Sequence, residues 1–95
     1  MMELKQKIEE TLSHVIDPET MMDVIRMRLV KDLEVHDDGT VSLTFIPSSP
    51  VCPLGFQLAI MIRDAIRSID GVKDVTMDVR DFVHAEALKK ILNES

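Results

Sequence analysis

The stretch Leu29–Pro47, LVKDLEVHDDGTVSLTFIP, decides the fold. Its second half alternates with a period of two, Val41, Leu43 and Phe45 on one side and Ser42 and Thr44 on the other. That is the pattern of a strand with one buried and one wetted face. The first half reads the same way, with Leu29, Lys31, Leu33 and Val35 on one face and Asp32, Glu34 and His36 on the other. Asp37-Asp38-Gly39-Thr40 supplies turn chemistry between them, so residues 29–46 are expected to form an antiparallel hairpin. Pro47 cannot donate to a sheet ladder and ends the second strand. The outward face, made of hydroxyls and charges, needs no helix over it.

Working outward, Pro47-Ser48-Ser49-Pro50-Val51-Cys52-Pro53 is a stiff connecting loop. Leu54, Leu58, Met61, Ile62, Ala65, Ile66 and Ile69 then recur at three and four, with Gln57, Arg63, Asp64 and Arg67 elsewhere, predicting a helix over 53–69. Gly71 suits the left-handed position after it. Val75, Met77 and Val79 alternate with Asp74, Thr76 and Asp78 as a third strand, and Met61 and Met77 are expected as core filler. A short helix from His84 to Leu92 closes the chain. At the start, Leu4, Ile8, Leu12 and Val15 predict an amphipathic helix over 3–14. Asp17-Pro18-Glu19-Thr20 then reads as a helix start, with Asp17 as the cap of a short helix or turn around 18–26. A helix between the hairpin and the third strand is a crossover, so the third strand is expected parallel to one hairpin strand, with a right-handed connection. The expected fold is a compact two-layer α+β domain, αββαβ with a closing helix, the helices on one sheet face and residues 1–95 forming a single domain.

A chain of 95 residues and 10.8 kDa has room for one domain, and 11 Lys and Arg against 17 Asp and Glu leave a net charge of -6. An acidic, aromatic-poor chain lacks the basic cluster and stacking platform of a nucleic-acid binder. Charges interrupt every apolar run well short of a membrane span, and the first residues lack a signal-peptide apolar region. One cysteine, Cys52, agrees with a reducing compartment and leaves no intrachain disulfide. The expectation is a cytoplasmic protein.

Cys52 precedes Pro53, and at the start of a helix the positive end of the dipole favours a thiolate, which is both nucleophile and metal ligand. The alternative reading is a small buried hydrophobe between Val51 and Leu54. Prolines at 47, 50 and 53 hold the loop stiff, which suits a ligand and equally suits a plain strand-to-helix turn. Asp17 has helix capping to account for it, whereas Glu19 either complements the dipole or meets a partner or metal. His14, His36 and His84 form no metal-binding spacing and read as surface histidines. No glycine-rich phosphate loop, Gly-x-Ser-x-Gly or His-Glu-x-x-His motif is present.

In order and spacing, Asp17-Pro18-Glu19, the strand pair 29–46, Ser49-Pro50-Val51-Cys52-Pro53 and Gly71-Val72-Lys73-Asp74-Val75 resemble the MIP18 family, the domain of unknown function 59. That family includes iron–sulfur assembly factors and the D component of phenylacetate degradation, and the resemblance runs from residue 3 to about residue 80. It implies an αββαβ fold and a role in maturing iron–sulfur proteins, in which the family's cysteine, matched by Cys52, touches iron or a cluster. Asp17 and Glu19 match the family's acidic motif, and with Ser49, Pro50 and Pro53 they would shape the adjacent pocket or partner surface. Two stretches depart from the family pattern. Arg26-Met27-Arg28-Leu29-Val30 stands where Asp-Leu-Gly-Leu-Val is common, and Arg80-Asp81-Phe82-Val83-His84 replaces a Pro/Trp-containing end.

The leading expectation is therefore an accessory factor that assembles or delivers iron–sulfur clusters, contacting iron or a cluster transiently through Cys52. One cysteine cannot supply the four ligands of a [2Fe–2S] unit, so the rest must come from a second copy, a partner or exogenous thiols. Partners would be iron–sulfur assembly proteins or client apoproteins, with no nucleic acid and no membrane, and a homodimer is left open. The alternative is a metal-free adaptor for an enzyme or assembly complex. An enzyme is not expected, because no histidine base adjoins Cys52 and no second cysteine resolves an oxidised intermediate.

Overall fold

Six elements follow one another in the order expected: α1 (Leu4–Leu12), β1 (Val30–Val35), β2 (Thr40–Phe45), α2 (Leu54–Arg67), β3 (Asp74–Val79) and α3 (Ala85–Glu94). The computed structural model describes residues 4–17, 20–47 and 54–94. Strand order is β1-β2-β3, with β1 antiparallel and β3 parallel to β2. The crossover helix α2 thus returns the chain to the free side of β2, which becomes the central strand. The outer edge of β1 was the other position open to it, and parallel pairing with β2 is the one taken.

Val41, Leu43 and Phe45 of β2 and Val75, Met77 and Val79 of β3 turn inward and are buried against Ile8 and Leu12 of α1, Leu58, Ile62 and Ile66 of α2, and Leu88 and Leu92 of α3. Met61, expected in this core, is 41% exposed. At about 100° per residue the buried stripe of α2 runs through Leu58, Ala59, Ile62 and Ile66, and position 61 falls to its flank. Gly71, at φ 99°, holds the loop after α2 in the left-handed region, where a side chain would be strained.

The first hairpin strand departs from simple alternation. Val30 pairs with Phe45 and Lys31 with Thr44, whereas Glu34 pairs with Ser42 and Val35 with Val41, so an extra residue is bulged out between Lys31 and Glu34. Asp32 sits in the bulge at φ 53°, a region that aspartate tolerates better than most residues. The bulge inverts the parity of the strand: Val30 faces inward before it, Leu33 and Val35 after it. Lys31, expected on the apolar face, is exposed as a result.

α3 closes the β3 edge of the sheet as well as the core. Met77 donates its N–H to Asn93 Oδ1 (3.1 Å) and accepts from Asn93 Nδ2 (3.0 Å), so one side-chain amide stands in for a neighbouring strand. Arg63 of α2 reaches the last turn of α3, Nη1 lying 3.4 Å from the carbonyls of both Ile91 and Leu92. A cation there complements the negative end of the helix dipole.

Candidate functional site

Two ends of the sheet have different chemistry. At the hairpin-turn end, the space beside Gly39 is closed by the Gly71 carbonyl, which would stand 2.8 Å from an added Cβ, and Lys73 donates its N–H to Gly39 (2.8 Å). Beside α1 and β1, a concavity of about 550 Å³ is lined by Leu4, Lys5, Leu33, Glu34, Val35 and His36. It is open to solvent. The wetted sheet face holds a shallower depression of about 290 Å³ among Asp32, Glu34, Ser42, Thr44, Thr76, Asp78 and Arg80. Partial burial there pushes the Asp78 carboxyl up, but bonds from Lys89, the Val79 N–H and Arg80 outweigh it and hold Asp78 below the ordinary carboxylate value.

The opposite end gathers the carboxyl ends of the parallel pair β2 and β3, the start of β1 and the first turn of α2. Ile46 donates its N–H to Leu29 (2.8 Å), and Arg80 donates to Phe45 (3.1 Å), which ties these chain ends together. Crevices at the carboxyl ends of parallel strands beside a helix N-terminus are recurrent ligand sites in α/β folds.

Asp17 belongs to this end. After α1 the chain runs extended, Ile16 bridging Asp23 and Val24 donating to Val15 (3.0 Å), so Val15 and Asp17 point inward while Ile16 points out. Asp17 is 1% exposed. Its backbone is fixed from both sides, its N–H donating to Met22 (2.9 Å) and its carbonyl accepting from Met21 (2.8 Å). Asp23 caps the turn that follows, its Oδ2 accepting the Arg26 N–H at 2.9 Å while Met27 donates to the Asp23 carbonyl at 3.1 Å. Residues 24–28 form turns rather than a helix.

A cluster of three rings completes this end. Phe82 meets Phe56 edge-on at 5.5 Å between centroids, and His84 lies 6.0 Å from Phe56 and 5.9 Å from Phe82. Gly55 admits the Phe82 ring: an added Cβ would stand 3.4 Å from Phe82 and 3.4 Å from Pro47. Asp81, at φ 56°, turns the chain after β3 so that Phe82 faces inward. Sequence reasoning treated His84 as one surface histidine among three. The signal that could have singled it out is the poverty of aromatics, only three Phe and no Trp or Tyr, all three of which come to the same sheet end once β3 is parallel to β2.

Glu19, Ser49, Pro50, Cys52 and Pro53 lie outside the described residues. The segment that carries Cys52 leaves from Pro47 and rejoins at Leu54, and both of these anchors are at the sheet end that holds Asp17. Among the described residues no group of three or more His, Cys, Asp or Glu side chains is placed to hold a metal ion, and no helix is long and apolar enough to cross a membrane.

The family model for iron-sulfur cluster assembly proteins matches residues 5–79. The chain belongs to that family. An uncharacterized protein of Methanocaldococcus jannaschii is 31% identical over 90 residues, which span 95% of each chain. An Fe-S protein maturation auxiliary factor of Bacillus subtilis is 30% identical over 76 residues, covering 80% of this chain and 74% of that protein. A crystal structure of a domain of unknown function, DUF59, from Bacillus anthracis superposes with a TM-score of 0.73 at 21% identity, covering 94% of this chain and 87% of that one. At that identity the superposition establishes the α+β fold alone.

Proposed function

We propose that this protein is an auxiliary factor in iron–sulfur protein maturation that holds iron or a cluster transiently through the Cys52 thiolate and catalyses no reaction of its own. Membership of the assembly family, with a relative named as a maturation auxiliary factor, supports the role in iron–sulfur assembly. The observation that carries the finer reading is the convergence at one sheet end of buried Asp17 and of both anchors of the Cys52 segment, Pro47 and Leu54. Cys52 stands two residues ahead of α2 in the sequence, where a helix dipole favours thiolate over thiol. Iron is cargo in this reading. A single thiolate leaves most of the coordination sphere to a second copy, a partner or free thiols, which suits transfer better than storage. Partners are assembly proteins or client apoproteins, met in the cytoplasm, with Glu19, Ser49, Pro50 and Pro53 contributing to the contact surface.

The test is anaerobic reconstitution with iron and sulfide of the wild type and Cys52→Ala side by side, recording visible absorption, bound iron and mass in solution. Binding by the wild type that is lost in Cys52→Ala supports the reading, and a doubled mass on loading makes the carrier a bridged dimer. Absence of binding in the wild type refutes it. A metal-free adaptor would then stand, favoured by one observation: Ile16, Met21 and Met22 are 40%, 75% and 39% exposed on the loop that buries Asp17. Exposed methionine and isoleucine side by side are the material of adaptable protein contacts.

A further inference from the structure

Two of the five arginines, Arg26 and Arg28, make no ion pair or side-chain hydrogen bond among the described residues, in a chain with 17 carboxylates to choose from. Arg80, by contrast, pairs with Asp78, and Arg63 reaches the end of α3. Arg26 and Arg28 are both exposed, yet the backbone beneath them is fixed. Arg26 donates its N–H to Asp23 Oδ2 (2.9 Å), Arg28 donates to Ile25 (3.1 Å) and Leu29 to Val24 (3.0 Å). Arg28 is held at φ 58° and Met21 at φ 60°, a conformation that glycine adopts freely and that a side chain makes costly. Residues kept in that region gather at binding sites. The bridge from Ile16 to Asp23 lays Ile16 beside the residue that fixes Arg26, and Met21 and Met22 come just before it. Three exposed apolar side chains thus adjoin two unpaired guanidinium groups. Methionine and arginine are the residues that protein interfaces favour, while lysine and the acids are depleted there.

We propose that Ile16, Met21, Met22, Arg26 and Arg28 form a docking surface for an acidic segment of a partner protein, its carboxylates meeting the two guanidinium groups and its apolar side chains covering the methionines. Charge complementarity selects that occupant. The planar guanidinium fork matches a carboxylate, and Asp23, the carboxylate on this loop, is already taken up by the Arg26 N–H. With a net charge of -6 the chain as a whole repels phosphate-rich surfaces, and two arginines are too few to hold a nucleic acid or an anionic membrane against it. A short acidic segment keeps its charge within the contact. The inference rests on the reading that this protein meets partner proteins and is independent of iron binding; it adds which face does so and what chemistry that face selects.

The test uses the whole protein, without iron, and short fluorescein-labelled peptides in which Glu alternates with Leu, beside the same peptides with Gln for Glu. Anisotropy gives affinity at low and high salt, and methyl NMR locates the contact. Arg26→Gln removes one guanidinium. Arg28→Gly removes the other while relieving the backbone at φ 58°, so its melting temperature should equal or exceed that of the wild type. The expected result is binding of the Glu peptides that weakens with salt, shifts at the Met21 and Met22 methyl groups, and a loss of at least about fivefold in affinity in each variant. Equal binding of the Gln peptides, affinity unchanged in both variants, or shifts confined to other methyl groups overturns the proposal, as does absence of binding. Phosphatidylserine vesicles that bind where the peptides do not would make this a lipid contact, and a mass that rises with concentration and is lost in Arg28→Gly would make the occupant a second copy; either result overturns it. Reconstitution with iron and sulfide decides the iron reading separately.

Discussion

Replacing Asn93 with alanine tests how the sheet edge is sealed. The Asn93 amide makes two hydrogen bonds with the backbone of Met77, at 3.1 and 3.0 Å, and Met77 is only 1% exposed. A protein hydrogen bond contributes about 1 kcal/mol net, and a buried polar group left without any partner costs about 1–3 kcal/mol. Asn93 itself is exposed, so water follows the truncation and partly satisfies Met77, which sets the loss near the sum of two ordinary bonds, about 2 kcal/mol. For a domain of this size that is a fall in melting temperature of roughly 8–16 °C. Urea unfolding followed by far-UV circular dichroism measures it, with the midpoint lowered and the slope unchanged. An uncovered edge also offers an unpaired backbone to other chains, so the variant should elute earlier or with aggregates on size exclusion. A stability within about 0.5 kcal/mol of the wild type, the range of an ordinary surface substitution, together with an unchanged elution volume, would refute the edge-sealing argument.

Three further outcomes are expected. Gly39→Ala places a Cβ 2.8 Å from the Gly71 carbonyl in a backbone at φ 92°, and a loss of about 2–3 kcal/mol in urea unfolding is expected; a neutral result would mean that the turn re-forms without that close approach. Asp38 accepts from the Thr40 hydroxyl at 2.7 Å and the Thr40 N–H at 3.0 Å, and the hydroxyl bond above all lowers its pKa from the ordinary 3.8. A depressed carboxylate stabilises fully above the unfolded value and loses that contribution as pH falls through the folded one, so the melting-temperature gap between wild type and Asp38→Asn should be widest at neutral pH and shrink below about pH 4. A gap that stays constant down to pH 2 would exclude an ionic origin. Asp32→Val forces a β-branched residue to φ 53° and should cost about 1–2 kcal/mol, whereas Asp32→Gly should be neutral or better, and equal effects would remove the bulge from the account.

Much of the architecture was legible in the chain because it follows from local periodicity. The alternation at Val41, Leu43 and Phe45, the same at Val75, Met77 and Val79, and the three-and-four spacing from Leu58 to Ile66 each name an element and its buried face. The parallel third strand followed from the length of the crossover helix. The paired motifs around Asp17 and Cys52 pointed to the family now matched over residues 5–79.

Features that depend on pairing between distant residues were not legible. Inserting one residue in β1 reverses the faces of everything after it, and nothing in Val30-Lys31-Asp32-Leu33 marks the insertion until the strand is laid against β2. Asp17 shows no sign in the sequence of being buried, and the bridge from Ile16 to Asp23 turns it inward. His84 gained its aromatic neighbours only when parallel pairing brought the end of β3 beside the start of α2, and Asn93 gained its role only when α3 lay along β3. The sequence by itself determined which residues form helices, strands and their apolar faces, since those are contests among neighbours one to four positions apart. Tertiary structure decided which polar side chains are buried, which edges are sealed and which rings meet, since those outcomes depend on residues tens of positions apart brought together by the core.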